Sequence, residues 1–288
     1  MKPAPLEYRR AASLEEAVAA LAEGGWDAKA LAGGQSLVPL LNLRLARPAL
    51  LVDLNAVPGL DGIAATNGSL RVGALVRQSE LERSPAAQSR CPLLAECLPH
   101  VGHFATRNRG TVGGSIAHAD AAAELPLALV AIGGSVVAES ARGRREIAAD
   151  DFFVTHFTTA LEEGELVVET VWPAASLGWG YAFEELAQRH GDYGLAMAAC
   201  ALRAENAAAA EVRLALGAVT ERPTAVVTGL EGRAIDGEAA AEAAAAARAA
   251  VDPVPTVHAS AEYLRHLVGV LAERAVLRAW RNATEGAA

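Results

Sequence analysis

Cysteine is scarce in this chain. Only 3 are present, at Cys91, Cys97 and Cys200. No two form a C-x-x-C pair, so the usual spacings for a structural zinc or an iron–sulfur cluster are missing. A sparse, odd count suits a reducing compartment, and the three read as small buried hydrophobes. Long apolar runs are missing too. No stretch approaches the ~18 uninterrupted apolar residues that a membrane-spanning helix needs, so any membrane association is expected to be peripheral. Met1 to Arg10 hold no apolar core of a secretory signal, and the expected location is cytoplasmic. Positive charge is also short. Lys and Arg number 25 against 34 Asp and Glu, a net charge of −9. Such a field repels phosphate backbones and argues against a nucleic-acid partner.

What is present is length and small residues. The 288 residues are enough for two compact domains or one large one with a proper core. Two glycine-rich stretches stand out. The longer runs Arg107-Asn108-Arg109-Gly110-Thr111-Val112-Gly113-Gly114-Ser115-Ile116-Ala117-His118-Ala119-Asp120. The other is Leu31-Ala32-Gly33-Gly34-Gln35-Ser36-Leu37. A glycine pair flanked by hydroxyls lets backbone N–H groups approach an anion closely, because glycine carries no Cβ. Alone, either reads first as a plain tight turn. Together, each after a short apolar run and before Ser and an aliphatic residue, they suggest two cradles for one long, doubly phosphorylated cofactor. Neither is the G-x-G-x-x-G dinucleotide fingerprint. Asp53 stands where that fingerprint's ribose-binding acid would fall, but an Asp after a buried strand more commonly starts a turn.

The chain in order predicts a short strand within residues 4–10. A helix follows, capped by Ser13 with Glu16 as its capping-box partner and stopped at Gly24-Gly25. Next come a strand over 28–32, a helix over 37–45 and a strand over 50–54. This β-α-β-α-β order implies a small parallel sheet with its glycine turn at a strand's carboxyl end. Residues 63–72 read as a hairpin with Asn67-Gly68 in a type I′ turn. Helical pieces are expected at 78–82 and 91–98. The longer glycine stretch is expected as a loop, followed by a helix from Glu124 to Ile132 with Pro126 in its first turn. Strands are expected at 135–138, 145–147 and 166–171, mostly antiparallel. Residues 174–178 read as a linker. Three more strands, at 181–186, 196–202 and 212–219, precede two helices. One is alanine-rich and capped by Asp236. The other is capped by Ser260, with a stripe of Tyr263, Leu264, Leu267, Val270, Leu271 and Leu277.

Other chemistry is weaker. His100 and His103 have H-x-x-H spacing, and His118 and Asp120 extend a possible metal set, but no glutamate lies inside the motif and its flanks are apolar. Ser36 and Ser115 lack a nucleophile elbow. Arg107 and Arg109 suit either offsetting phosphate charge or forming salt bridges.

Taken with Ser13-Leu14-Glu15-Glu16-Ala17, Ala117-His118-Ala119-Asp120, His190-Gly191-Asp192-Tyr193 and Ser260-Ala261-Glu262-Tyr263, the two glycine stretches resemble the FAD-binding loops of the flavin subunit of molybdenum-containing hydroxylases. This family includes the medium subunit of carbon monoxide dehydrogenase and the flavin part of xanthine dehydrogenase. The resemblance spans nearly the whole chain. It implies an α+β fold: a two-subdomain FAD-binding (PCMH-type) arrangement over 1–56 and 57–175, then a small α+β C-terminal domain over 178–288. It implies FAD in this chain, with [2Fe–2S] clusters in a small partner subunit and the molybdenum cofactor in a large one, assembled as a dimer of heterotrimers. Electrons would pass from those clusters through FAD to quinone, NAD or oxygen, and the lone chain would not oxidise the substrate.

Carried over by position, the cofactor-binding residues are Leu31, Ala32, Gly33, Gly34, Gln35, Ser36, Leu37, Val101, Thr111, Gly113, Gly114, Ser115, Glu124 and Leu166. Asp192 and Tyr193 would neighbour the flavin ring; no residue is assigned as catalytic and none as a metal ligand. Glu185 stands where eukaryotic xanthine enzymes usually have Lys, which speaks against a lysine-based NAD site. The competing reading is a nucleotide-phosphate-binding module without redox chemistry, such as a sensor or an assembly factor.

Overall fold

The structure, a computed structural model, describes residues 1–285. Gly286, Ala287 and Ala288, the end of the expected C-terminal unit, lie outside the described residues. The chain opens with β1 (Glu7–Arg10), α1 (Leu14–Gly24), β2 (Ala28–Leu31), α2 (Leu37–Asn42) and β3 (Leu50–Asp53). The three strands form a parallel sheet in the order β1-β3-β2. The Ser13 hydroxyl accepts from Glu16 N–H at 3.2 Å, while the Glu16 carboxylate reaches back to Ala12 N–H at 2.8 Å. The capping box therefore closes one residue earlier than the sequence pattern suggests. Helix α2 ends short of the expected Leu45: Arg44 turns left-handed (φ 59°), and the N–H groups of Leu45 and Ala46 fold back onto Leu40 O at 2.9 and 3.2 Å.

The second unit begins with β4 (Ile63–Ala65) and β5 (Ser69–Gly73). Thr66 N–H closes their turn on Ser69 O at 2.9 Å. Neither Asn67 nor Gly68 takes a positive φ, so the turn is not the type I′ that Asn-Gly suggests. Short helices follow: α3 (Gln78–Glu82), α4 (Pro85–Arg90), α5 (Pro92–Cys97), α6 (Phe104–Arg107), α7 (Val112–His118) and α8 (Glu124–Ala131). Sequence reading missed α4, although Ser84 caps it and Pro85 opens it. Strands β6 (Ser135–Ser140) and β7 (Gly143–Ala148), helix α9 (Ala149–Phe152), the small pair β8 (Phe153–Thr155) and β9 (Thr158–Thr159), and β10 (Leu166–Pro173) complete the unit. Its sheet is antiparallel throughout, in the order β4-β5-β10-β6-β7.

The third unit holds β11 (Trp179–Ala187), β12 (Gly194–Glu205), β13 (Ala208–Gly217), β14 (Thr224–Val226), α10 (Gly237–Ala249) and α11 (Ala261–Glu285). Its sheet is antiparallel in sequence order. Strand β12 is apolar on both faces because both are covered. Met197, Ala199 and Ala201 join the core of the second unit. Ala196, Ala198, Cys200 and Leu202 face α10 and α11. Helix α8 explains the first contact. Every one of its residues is buried, Glu124 included, as expected for a helix that is apolar all round and lies between two layers.

Asp236 caps α10 through Ala239 N–H at 2.9 Å, and Ser260 accepts from Tyr263 N–H at 3.2 Å at the start of α11. Of the expected stripe, Leu264, Leu267 and Leu271 are buried and Tyr263 is exposed. The three cysteines are free and buried. Burial pushes the Cys91 and Cys200 thiols up to about 12, so they pack as hydrophobes.

Helix α11 approaches β11 closely. A Cβ on Gly180 would lie 2.0 Å from Ala279 O and 2.3 Å from Ala283 N. These are backbone atoms that cannot swing aside. Gly180→Ala should therefore lower stability by roughly 1–3 kcal/mol, the range for overpacking a filled interior. Gly68→Ala, with nothing within 4 Å, serves as the control in the same thermal melts. Equal melting temperatures for the two variants would contradict this packing.

Candidate functional site

Strand β2 ends at Leu31, and the first glycine stretch turns away from the carboxyl end of the parallel sheet. Gly34 takes φ 71°, and Gln35 folds its amide back on Gly33 O at 3.1 Å. Val38 N–H bonds Gly34 O at 3.0 Å as α2 starts. Among the described residues, the N–H groups of Ala32, Gly33, Gly34, Gln35 and Ser36 have no acceptor within the protein. A run of free amides on a glycine turn is a donor set suited to phosphate oxygens.

The second stretch is built differently from the expected loop. Gly113 and Gly114 lie in the first turn of α7, which Thr111 caps. Its amides are already taken. Val112 N–H bonds Val76 O and Gly113 N–H bonds Ala74 O, each at 3.0 Å. Gly114 N–H donates to Thr111 Oγ1 and Ser115 N–H to Thr111 O, each at 3.1 Å. Gly113 is needed for packing, since its Cβ would fall 2.4 Å from that of Ala74. The expectation of a second cradle of free amides is thus corrected, because helix capping and strand pairing use them. The hydroxyls of Thr111 and Ser115 remain as donors.

The two stretches meet. A Cβ on Gly33 would lie 2.3 Å from Arg109 O and 2.8 Å from Gly110 Cα. A Cβ on Gly114 would stand 3.8 Å from Ala32 Cβ. Only glycine at position 33 permits this approach. Asn55 and Arg77, which sequence reading passed over, bond to both sides: Asn55 Nδ2 to Ala32 O at 3.0 Å, and Arg77 Nη1 to Arg109 O at 2.5 Å. The one sequence hint was Asn55 following Asp53 at a strand end; nothing signalled Arg77.

Arg107 is not free to offset phosphate charge. It pairs with Glu82 at 2.9 Å and donates to the carbonyls of Val101 and Gly102 at 3.1 and 3.0 Å. Val101 is buried beside it. Leu166 lies in the core shared by the first two sheets. The loop bearing Asp192 and Tyr193 rests on the His103 loop, where a Cβ on Gly191 (φ 87°) would meet His103 Nδ1 at 2.5 Å. Tyr193 is 68% exposed as a residue, yet partial burial, Asp120 and Glu124 raise its hydroxyl pKa. These residues do not converge as metal ligands. His118 lies tilted against Phe157 at 4.9 Å and His100 meets Phe183 edge-on at 5.2 Å. No group of three or more His, Cys, Asp or Glu suits a metal among the described residues. A separate cavity of about 310 Å3, walled by Trp179, Tyr181 and Arg213, includes no residue of either glycine stretch.

Two acids are buried near this loop. Burial pushes the Glu124 carboxyl up to about 8, with Glu185 and Asp120 adding to the rise and Arg107 opposing it. Burial alone pushes Glu185 up to about 7. Its nearest cationic candidate, His100 Nδ1, stands 3.5 Å from Oε2. Burial first, then His190 and Arg278, pull His100 down, so that imidazole is a poor counter-ion.

Two glycine turns closed on each other across a parallel and an antiparallel unit, with a sheet-and-helix unit behind, define a phosphate-cofactor-binding module of two-part construction. Two known families match successive parts of the chain. Residues 4–175 match the FAD binding domain in molybdopterin dehydrogenase, and residues 181–279 match the CO dehydrogenase flavoprotein C-terminal domain. The chain is 42% identical, over 98% of its length and 97% of the relative's, to the 6-hydroxypseudooxynicotine dehydrogenase complex subunit alpha of Paenarthrobacter nicotinovorans. It superposes with a TM-score of 0.94 and 38% identity on the carbon monoxide dehydrogenase from Hydrogenophaga pseudoflava that lacks the Mo-pyranopterin moiety of the molybdenum cofactor, covering 97% of this chain and 99% of that one. Quinoline 2-oxidoreductase from Pseudomonas putida 86 gives a TM-score of 0.92 at 40% identity, covering 98% and 99%. The chain belongs to the FAD-binding subunit family of the molybdenum hydroxylases and is an oxidoreductase subunit with an FAD-binding domain.

The buried acids generate a pH dependence. Unfolded, Glu124 and Glu185 titrate near the ordinary 4.5. Between there and about 7 to 8 the unfolded chain has shed protons that the folded chain still holds. Their contribution to stability is therefore whole below this window and is lost as pH rises through it. Each group accounts for at most about 1.4 kcal/mol per pH unit. Glu124→Gln and Glu185→Gln should flatten the fall in melting temperature from about pH 5 to 8. Parallel profiles for parent and variants would show that these carboxyls ionise freely in the fold.

Proposed function

We propose that this chain is the electron-relaying flavin subunit of a molybdenum hydroxylase complex, holding one FAD without a covalent bond. The observation that carries the reading is the contact of Gly33 on Arg109 O beneath the free amides of Ala32 to Ser36. Those amides, with Leu31 and Leu37 bounding the turn, would hold the pyrophosphate. Thr111, Gly113, Gly114 and Ser115 would face it from the other side. Val101, Glu124 and Leu166 would line the ribityl and adenosine portions, and Asp192 and Tyr193 would flank the ring. No His or Cys adjoins either glycine pair to attach a flavin.

When bound, FAD supplies an acceptor that takes electrons singly and passes them on in pairs. This chain's residues would bind and orient it. The partners would be a small subunit with [2Fe–2S] clusters and a large one with the molybdenum cofactor, as a dimer of heterotrimers in the cytoplasm. Three units, 1–56, 57–175 and 178–288, would divide the work between gripping the cofactor and closing over it. The external acceptor would be quinone, NAD or oxygen. Family membership disfavours a redox-silent nucleotide sensor.

Gly33→Ala drives a Cβ into the Arg109 carbonyl, whereas Gly62→Ala meets nothing within 4 Å. The first should weaken FAD binding by roughly tenfold or more and the second should not, as read by titration of the full chain with FAD. Flavin should pass a filter once the protein is denatured. Oxidation of carbon monoxide or an N-heterocycle by the lone chain would overturn the subunit assignment.

A further inference from the structure

A continuous set of hydrogen bonds joins the two halves of the cofactor site, and its central members lie outside both glycine stretches. Leu54 N–H extends the parallel ladder past β3 by bonding Leu31 O at 3.0 Å, which delivers Asn55 beside the first turn. Asn55 Nδ2 donates to Ala32 O at 3.0 Å and to Asp53 Oδ1 at 2.6 Å. Asn55 Oδ1 accepts from Arg77 Nη2 at 2.7 Å. The other arm of the same guanidinium, Nη1, reaches Arg109 O at 2.5 Å. Behind Asn55, Asp53 also accepts from Asn55 N–H at 3.0 Å and from the Tyr8 hydroxyl at 2.5 Å. Backbone pairing fixes the far end: Gln78 N–H bonds Gly110 O, and Val112 N–H bonds Val76 O, each at 3.0 Å. The set therefore runs from β1 through the end of β3 and the start of α3 to the residue against which Gly33 packs.

Side-chain chemistry limits what can stand in this line. The Asn55 amide donates to one neighbour and accepts from another; a carboxylate of the same shape has no proton to give Ala32 O. A guanidinium presents two donors at a fixed angle, and a lysine ammonium cannot span both acceptors in the same way. Arg77 faces Arg109, Glu80 and Asp53, and burial lowers its pKa.

We propose that Asn55 and Arg77 are positioning residues for FAD, fixing the spacing of the two glycine stretches through Ala32 O and Arg109 O without touching the cofactor. This rests on the FAD reading above. If the two turns drift apart, the amides of Ala32 to Ser36 and the hydroxyls of Thr111 and Ser115 no longer present one surface to a two-phosphate group.

The test uses the full chain, freed of flavin and titrated with FAD at about 0.05 and 0.5 M salt. The unsubstituted chain is measured first; if it does not bind FAD, the functional reading falls, independently of the variants. Asn55→Asp and Arg77→Lys should each weaken FAD binding by roughly tenfold. Arg77→Lys keeps the charge and most of the stem, so its flavin-free melting temperature should stay close to the parent value while affinity drops; Asn55→Asp also sets a carboxylate against Asp53, in place of the 2.6 Å donor there, and should lower the melting temperature as well. The double variant should be no weaker than the weaker single one, because both act on one chain of bonds. For Arg77→Lys, which leaves the charge unchanged, the loss should be the same at both salt concentrations. Direct contact with phosphate predicts the opposite: Arg77→Lys near parent affinity, or a loss that shrinks with salt. That result, multiplying losses in the double variant, or an Arg77→Lys affinity that falls only in step with its melting temperature would overturn the proposal.

Discussion

The carbonyl oxygen of Arg109 is approached from two directions. Gly33 packs on it from the first unit, so closely that no Cβ fits, and Arg77 bonds it from the second. Everything else about the site depends on this contact. It sets where the free amides after β2 stand relative to the Thr111 cap of α7, and so what size of anionic group the two sides can share. The halves are not equivalent. The first turn leaves its amides without partners, while the second gives its own to Ala74, Val76 and Thr111. One side is a donor surface and the other a rigid wall carrying hydroxyls.

Much of this was legible in the sequence. The β-α-β-α-β opening, the Ser13, Asp236 and Ser260 caps and the buried helix from Glu124 are local signals that tertiary packing did not override. The glycine pairs were also legible as special, but not as different from each other. Whether an amide is free depends on what lies across from it, and Ala74 and Val76 are far from Gly113 in the chain. The same limit hid Asn55 and Arg77, whose roles come from partners 23 and 32 positions away. The Asn67-Gly68 turn failed for a local reason: the dipeptide permits a type I′ turn without requiring one.

Helix α8 shows why a carboxyl can be kept where water is excluded. It lies between the second unit and the third sheet, and Glu124 at its first turn is buried with it. Its neighbours are Asp120 and Glu185, with Arg107 committed to Glu82 and to backbone carbonyls. Burial raises both carboxyls, and at Glu124 the neighbouring Glu185 and Asp120 add to the rise. Arg278 secures the adjacent boundary, bonding Glu96 at 2.6 Å and Phe183 O at 2.7 Å, so α11 and α5 grip β11 from both sides.

The central core also has a consequence for how the chain is made. Leu70, Trp172, Tyr181, Met197 and Ala215 belong to one cluster. During synthesis the antiparallel sheet of the second unit emerges long before the strands that cover α8. Until β11 to β13 have left the ribosome, a helix with no polar face is covered by the second unit on one side only. A nascent chain in this state exposes apolar surface for several seconds at ordinary translation rates of about 5–20 residues per second, long enough for holding chaperones to engage it. Truncation within β13 would then leave a sticky fragment rather than a smaller working flavin module.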